Sequence, residues 1–440
     1  MAIDRRTLLK AAALASAGAA ISSSSFGAAP EPLRINAQRL RESIEGLSVF
    51  GRRAGGTFAD GVSRVAYSDA DVAGRKFAMD LMRSARLEPR VDAAGNIFGD
   101  RAGSDASLKP ILFGSHIDSV PSGGNFDGDL GSLSAIEVIR TLNESNTTTR
   151  HPLRVAIWAN EEGGLVGSRS AAGELPPEEL DRVVNGVRRR EGIAKIGGAP
   201  DRLAEARIPQ HSFHCYIELH IEQGGKLEKA GIPVGVVEGI VSIDEYEAEI
   251  RGFANHAGTT PMPERRNALL AAAKLIEAVQ AVVTSEPGAQ VGTVGRLEVS
   301  PNARNVVPGL VRHSIELRDL SAEKIARLGG DIQQRAQGIA RETGTEISIK
   351  QVEHDPPAVA SPQIQQLVER SAATLGLRTM RLPSGAGHDA QMMARLGPMG
   401  MIFVPSVGGV SHSPKELTRW EDCANGANVL LHTVLLADQS

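Results

Sequence analysis

The sequence predicts an α/β protein: a mixed, largely parallel sheet flanked by helices and interrupted by an inserted α+β unit. Three observations predict it. Short apolar runs at 110–114 and 153–159 read as buried strands, with a helical segment at 131–142 between them. Strand, helix, strand in that order is the unit from which parallel sheets are built. From 239 to 357 the pattern changes to strand 241–252, helix 267–283, strands 291–299 and 309–320, helix 322–343 and strand 346–352. That order is β-α-β-β-α-β, the split βαβ sandwich. After Pro356-Pro357 the helix–strand alternation resumes and ends in a buried strand at 401–404. A chain of 440 residues also exceeds what one hydrophobic core serves, which favours two domains.

Composition narrows the class. With 41% hydrophobic and 23% charged residues the chain is an ordinary globular protein. A net charge of −4 and 3% aromatic residues supply neither the basic field nor the stacking platforms of a nucleic-acid binder, so nucleic acid is excluded as a partner. At the N-terminus, Asp4-Arg5-Arg6-Thr7-Leu8-Leu9-Lys10 precedes a small apolar run at 11–21 and then Ser- and Ala-rich residues. This reads as a twin-arginine export signal over 1–29, directing the protein to the periplasm or beyond. The apolar run is too short to span a bilayer, so no membrane role beyond export is expected. Cys215 and Cys423 are the two cysteines, and an oxidising compartment permits a disulfide between them without requiring one.

Five side chains suited to metal binding stand just after predicted strands, where α/β folds place their sites: His116, Asp127, Glu162, His220 and His412. Asp118 follows His116 by two, so its carboxylate is expected to orient the imidazole. The glycine-flanked turn at 123–128 presents Asp127 as a bridge between two cations. In Asn160-Glu161-Glu162-Gly163-Gly164 two adjacent carboxylates end a buried strand and diverge in direction, so one can bind metal while the other acts as a base. Each element alone is weak; His220 by itself reads as a core histidine. Their order along the chain, each at a strand end, is the signal. Residues 37–87 are helical in pattern but broken by Gly51, Gly55, Gly56 and Gly61, predicting a loop that faces this site.

At this point the motifs carry a resemblance. GSHIDSVPSGGNFDG, NEEGG, YIELHIEQG, HAGTTPM, PNARNVVPG, SGAGHDA and VGGVSHSP resemble the allantoate amidohydrolase and N-carbamoyl-L-amino-acid amidohydrolase family, within the dinuclear-metal aminoacylase and carboxypeptidase superfamily. The resemblance runs from about 35 to the C-terminus. It implies that His116 and His220 bind one metal, Glu162 and His412 the other, with Asp127 bridging and Glu161 as general base. The ligand set suits zinc or manganese. Residues 30–238 and 358–440 would form the catalytic domain, and 239–357 a lid and dimerisation domain. His256 resembles the residue that stabilises the oxyanion across a homodimer interface; taken alone it is an ordinary loop histidine. Arg318 resembles a guanidinium clamp for a substrate carboxylate, on a strand where Ile315 and Leu317 face one way and Glu316 and Arg318 the other. Gln223, Asn305 and Gly387 match further substrate contacts. His388 reads as a support for the site, and His151, His211, His214, His313, His354 and His432 as surface or packing residues.

Three departures from the family pattern stand out: Asp129 adds a carboxylate beside the bridging ligand, Gly164-Leu165 replaces more polar residues, and Glu316 stands where Asp is usual. The resemblance implies hydrolysis of the carbamoyl C–N bond of a small ureido acid, with N-carbamoyl amino acids, allantoate and ureidoglycolate as candidates. The alternatives are a peptidase or aminoacylase of the same superfamily and a non-catalytic binding homologue.

Overall fold

The computed structural model describes residues 31–184 and 186–440. The predicted export signal therefore lies outside the described residues. From Arg34 onward the chain forms one unit built on two main sheets.

The larger sheet has nine strands. Its centre is β4 (Leu153–Trp158), β3 (Ile111–His116), β7 (Cys215–Ile221) and β18 (Met399–Val404), in that order and all parallel. Strands β3, β7 and β18 are buried along their whole length, which is why they read as apolar runs without alternation. Antiparallel strands close the flanks: β1 (Pro89–Val91) and β2 (Ile97–Arg101) beside β4, and β8 (Val234–Ile240) with β16 (Ala358–Val359) beyond β18. Strand β17 (Thr379–Ser384) runs parallel to β8. The sheet is thus mixed, with a parallel heart. A small hairpin of β5 (Val183–Val184) and β6 (Val187–Arg188) stands apart.

Helices Asp129–Glu144, Pro362–Thr374 and Trp420–Ala437 pack on this sheet and on one another. The short helices Val166–Ala172 and Asp389–Met393 pack together, in a core with Trp158, Tyr216 and Phe403. Cys215 and Cys423 are both buried as free thiols, so no disulfide joins them. Among the described residues no helix is long and apolar enough to cross a membrane.

The segment between β8 and β16 forms the second sheet, five antiparallel strands with a core of its own. Strand β9 (Ser242–Arg251) alternates buried and half-exposed residues and lies between β14 (Leu310–Asp319) and β15 (Glu346–Asp355). One face carries helices Ala268–Val283 and Ala322–Thr343. Both helices begin where a side chain caps them: Asn267 accepts the N–H groups of Leu269 and Leu270, and Ser321 that of Lys324. Gly344, in the left-handed conformation, ends the second.

Two details differ from the sequence expectation. The strand expected at 291–299 is split into β11 (Val291–Thr293) and β12 (Leu297–Ser300), both paired with β14. Between them Val294, Gly295 and Arg296 face only Ser314 and Ile315, so one strand carries an extra residue and the ladder breaks. A two-stranded ribbon of β10 (Asn255–His256) and β13 (Val306–Val307), which no apolar pattern announces, also emerges from this unit.

Candidate metal centre and active site

The site forms at the C-terminal ends of the parallel strands. His116 is the last residue of β3, His220 is one residue from the end of β7, and the Glu161-Glu162 pair follows β4. Asp127 lies in the turn that opens helix Asp129–Glu144, and His412 in the loop after β18. Gly128 makes the approach possible: it adopts φ +66°, and a Cβ there would meet the His116 ring at 2.4 Å.

All five expected ligands converge. His116, Asp127 and His220 place ligand atoms within 4.8 Å of one another, and so do Asp127, Glu162 and His412. Asp127 belongs to both groups. Its Oδ1 lies 3.1 Å from His220 Nε2 and 3.6 Å from His116 Nε2, and its Oδ2 lies 3.2 Å from His412 Nε2. Glu162 Oε2 is 3.6 Å from His412 Nε2.

The chemistry of this set fits a cation. His220 Nδ1 meets the Ile221 carbonyl at 2.9 Å and His116 Nδ1 the Asp118 carbonyl at 3.0 Å. With those nitrogens as donors, each neutral ring turns the lone pair of Nε2 toward the Asp127 carboxylate. His220 Nε2 and Glu162 Oε1 are buried and make no hydrogen bond. Buried lone pairs facing one another are costly without a positive charge between them. Either protons or metal ions supply it, and the imidazole–carboxylate donor set is one that could hold a metal ion.

Burial opposes ionisation of Asp127, but the attraction of the His116, His220 and His412 imidazoles that face it outweighs burial and holds the carboxyl well below its usual range. Glu161 behaves oppositely: burial pushes it well above its usual value, and Asp389, Glu162 and Asp118 add to the effect against the attraction of His116. Burial first, then Asp127, pushes Glu162 up to about 7. Glu161 Oε2 stands 3.9 Å from His116 Nε2 and borders the same cavity as the ligands. A raised proton affinity, at a carboxylate that borders the same cavity as the candidate ligands, is what a general base requires.

Asp118 acts differently from the expectation. Its main-chain carbonyl holds His116, while its carboxylate is 3.9 Å from that ring. The carboxylate instead accepts the N–H groups of Glu161 at 3.1 Å and Glu162 at 3.2 Å. It thereby fixes the turn that presents both glutamates. Asp129 does add a carboxylate beside the bridging ligand, as expected. Its carboxylate is buried against the guanidinium of Arg64, which also donates to the carbonyls of Ile117, Leu47 and Phe50.

A cavity of about 300 Å³ opens over the ligands. Arg318 borders it from the second sheet, beside Ile243, its cross-strand partner on β9. Its Nε and Nη2 donate to Glu316 at 2.8 and 3.1 Å, and its Nη1 donates to the Gly385 carbonyl at 2.7 Å. Gln223, at φ +57°, donates to Asp127 Oδ2 at 2.8 Å. Gly387 and Leu165 also line the wall, Leu165 in a left-handed conformation. His388 is buried with its ring centroid 4.5 Å from that of His220, and Ser384 holds its Nε2 at 2.8 Å. Burial and then His220 keep it well below its usual pKa, hence neutral.

His256 and Asn305 are not brought to this cavity. Both are exposed, on or beside the β10–β13 ribbon, and the Asn305 carbonyl accepts the N–H of Ala257. The glycine-rich loop packs on the turn before Asp127, where Val62 pairs with Gly123 and Asn125 donates to the Phe58 carbonyl at 2.7 Å, but it supplies no residue to the cavity wall. His354 is bound to Asp244 at 2.7 Å, away from the ligands.

One contributor escaped the sequence reading. Glu416 is buried and accepts the N–H groups of Phe126 and Asp127. Its only sequence signal is its place four residues after His412.

Comparison with known proteins identifies the family. The model of peptidase family M20/M25/M40 matches residues 112–436. The chain belongs to the M20/M25/M40 family. Within it, the chain is 41% identical over 406 residues to an N-carbamoyl-L-amino acid amidohydrolase of Geobacillus stearothermophilus, covering 91% of this chain and 98% of that one. It is 37% identical over 416 residues to a ureidoglycolate hydrolase of Arabidopsis thaliana, covering 91% and 87%. Among solved structures, a hydantoinase/carbamoylase family amidase of Burkholderia multivorans superposes with a TM-score of 0.85 at 36% identity, over 93% of this chain and 99% of that one. The chain is an amidohydrolase of the M20/M25/M40 family, and the mixed α/β architecture is that of its relatives.

Proposed function

We propose that this M20/M25/M40 enzyme hydrolyses the carbamoyl C–N bond of a small ureido acid, using two divalent ions, zinc or manganese. One observation carries the reading: two candidate ligand groups share Asp127, which lines a cavity that Arg318 also borders. The names of the Geobacillus and Arabidopsis relatives support a ureido substrate.

When bound, such ions acidify a water and polarise a carbonyl. His116 and His220 would hold one ion, Glu162 and His412 the other, with Asp127 between them. Glu161 takes the proton of the attacking water and delivers it to the leaving nitrogen, a task matched by its raised pKa. Arg318 binds the substrate carboxylate: three of its five N–H groups are committed to Glu316 and Gly385, and the remaining two serve a bidentate partner. Gln223 and the 385–388 loop orient the ureido group. The products are an amine, ammonia and carbon dioxide.

His256 and Asn305 stand exposed outside the cavity, which supports a homodimer in which a second copy supplies them. The unit 239–357 would be the lid and dimerisation domain, with 30–238 and 358–440 the catalytic one. The motif at 4–10 supports twin-arginine export to the periplasm.

The test is a panel of N-carbamoyl amino acids, allantoate, ureidoglycolate, dipeptides and N-acyl amino acids, assayed with zinc, with manganese and metal-free. Turnover of a ureido acid that depends on added metal is expected. Turnover of dipeptides or N-acyl amino acids alone would sink the ureido reading.

A further inference from the structure

Glu416 offers a carboxylate whose surroundings are those of a side chain that serves the metal ligands. It is 4% exposed, and among the described residues no Lys or Arg pairs with it. Its Oε1 accepts the main-chain N–H of Phe126 at 2.9 Å and of Asp127 at 3.1 Å. Its Oε2 lies 2.8 Å from the Ser411 hydroxyl, and the same hydroxyl lies 3.1 Å from Asp127 Oδ2. Ser411 directly precedes His412. One side chain thus joins the turn carrying Asp127 to the turn carrying His412, and through Ser411 it reaches the oxygen of Asp127 that faces His412.

The seat is built for it. A Cβ on Gly124 would fall 2.1 Å from Glu416 Oε1, so the second glycine of the 123–128 turn admits this carboxylate. A buried charge with no basic partner is costly. Main-chain donors offset part of that cost, and a nearby cation between Asp127 and His412 would offset more. Partners that orient ligands in this way commonly tune metal affinity as strongly as some ligands do.

We infer that Glu416 is a positioning residue, which locks Asp127 against His412 through its main-chain bonds and Ser411 and so sets the affinity of the metal held between them. The inference rests on the proposed reading of Asp127 and His412 as metal ligands.

The experiment uses the full chain, its Glu416→Gln and Ser411→Ala variants and the double variant, with zinc and manganese as separate probes. Metal affinity is read by competition with a chromophoric chelator, alongside the melting temperature of the metal-free proteins and kcat and KM at saturating metal. Each single variant is expected to bind metal about 10- to 100-fold more weakly. Metal-free melting should change little, and kcat should fall while KM stays put. The double variant should lose little more than the weaker single one, because both act through one link. Metal binding within twofold of the parent in a folded Glu416→Gln or Ser411→Ala protein overturns the inference. If Glu416→Gln fails to fold, Ser411→Ala decides alone. A parent that binds neither zinc nor manganese overturns the metal reading itself, whereas a parent that binds while the variants bind equally overturns only the role of Glu416.

Discussion

The carboxylate of Asp118 accepts the main-chain N–H groups of Glu161 and Glu162, at 3.1 and 3.2 Å. The proposed base and a proposed metal ligand therefore hang from one buried side chain. Asp118→Ala removes both acceptors and leaves two N–H groups facing a void, at a cost of roughly 1–3 kcal/mol each where water cannot reach them. Activity should fall about 10- to 100-fold as the glutamates lose their aim. Urea unfolding and kcat/KM measure the two effects separately.

Glu161→Gln keeps the shape of the turn and the ligands around it but abolishes the base. Metal content should match the parent while turnover falls on the order of 10²–10⁴-fold. Unchanged turnover in a metal-loaded variant would exclude Glu161 as the base.

Arg318 holds Glu316 with two hydrogen bonds and Gly385 with a third. A lysine offers a point charge and cannot make this fork. With Arg318→Lys, KM for a ureido acid should rise about 10- to 100-fold, since a bidentate charged contact is lost. Substrate analogues carrying an amide in place of the carboxylate should show no such rise.

Arg64 and Asp129 form a buried pair, each 1% exposed. Asp129→Ala strands the guanidinium, and the expected loss is about 3–5 kcal/mol in denaturant unfolding. The double variant Arg64→Met with Asp129→Leu should recover much of it, because removing both charges removes the desolvation cost of each. Failure of the double variant to recover would show that the carbonyl bonds of Arg64, rather than the pair, hold this region.

Asp71 supplies a pH signature. Burial raises its carboxyl from 3.8 to about 6, against the pull of Arg75. A raised folded-state pKa means the native protein binds more protons than the unfolded chain between those values. Its contribution is thus present in full below about pH 4 and is lost as pH rises through about 6, on the order of 2–3 kcal/mol. Asp71→Asn should flatten the fall of unfolding free energy across that window, read by urea titration at several pH values. An unaltered slope in the variant would rule Asp71 out as its source.

Much of the site was legible because its determinants are local. His116, Glu162 and His220 stand at or just after strand ends, Asp127 and His412 in the turns that follow strands, and a parallel sheet brings strand ends to one edge. The helices at 268–283 and 322–343 were legible for a similar reason, since Asn267, Ser321 and Gly344 sit beside the turns they cap. The break in the strand expected at 291–299 was not, because a bulge depends on the partner strand β14 as much as on the strand itself.

The sequence by itself determined which residue types stand at the strand ends and in the turns after them, and with them an enzyme of this family and a candidate metal-ligand set. Only the tertiary structure decided which atoms those residues meet. It turned Asp118 toward the glutamates instead of His116, gave Asp129 to Arg64, left His256 and Asn305 outside the cavity, and set Glu416 beneath Asp127. Periodicity and spacing report a residue's own stretch of backbone, whereas these pairings join segments far apart in the chain, and their geometry exists only once the sheets have packed.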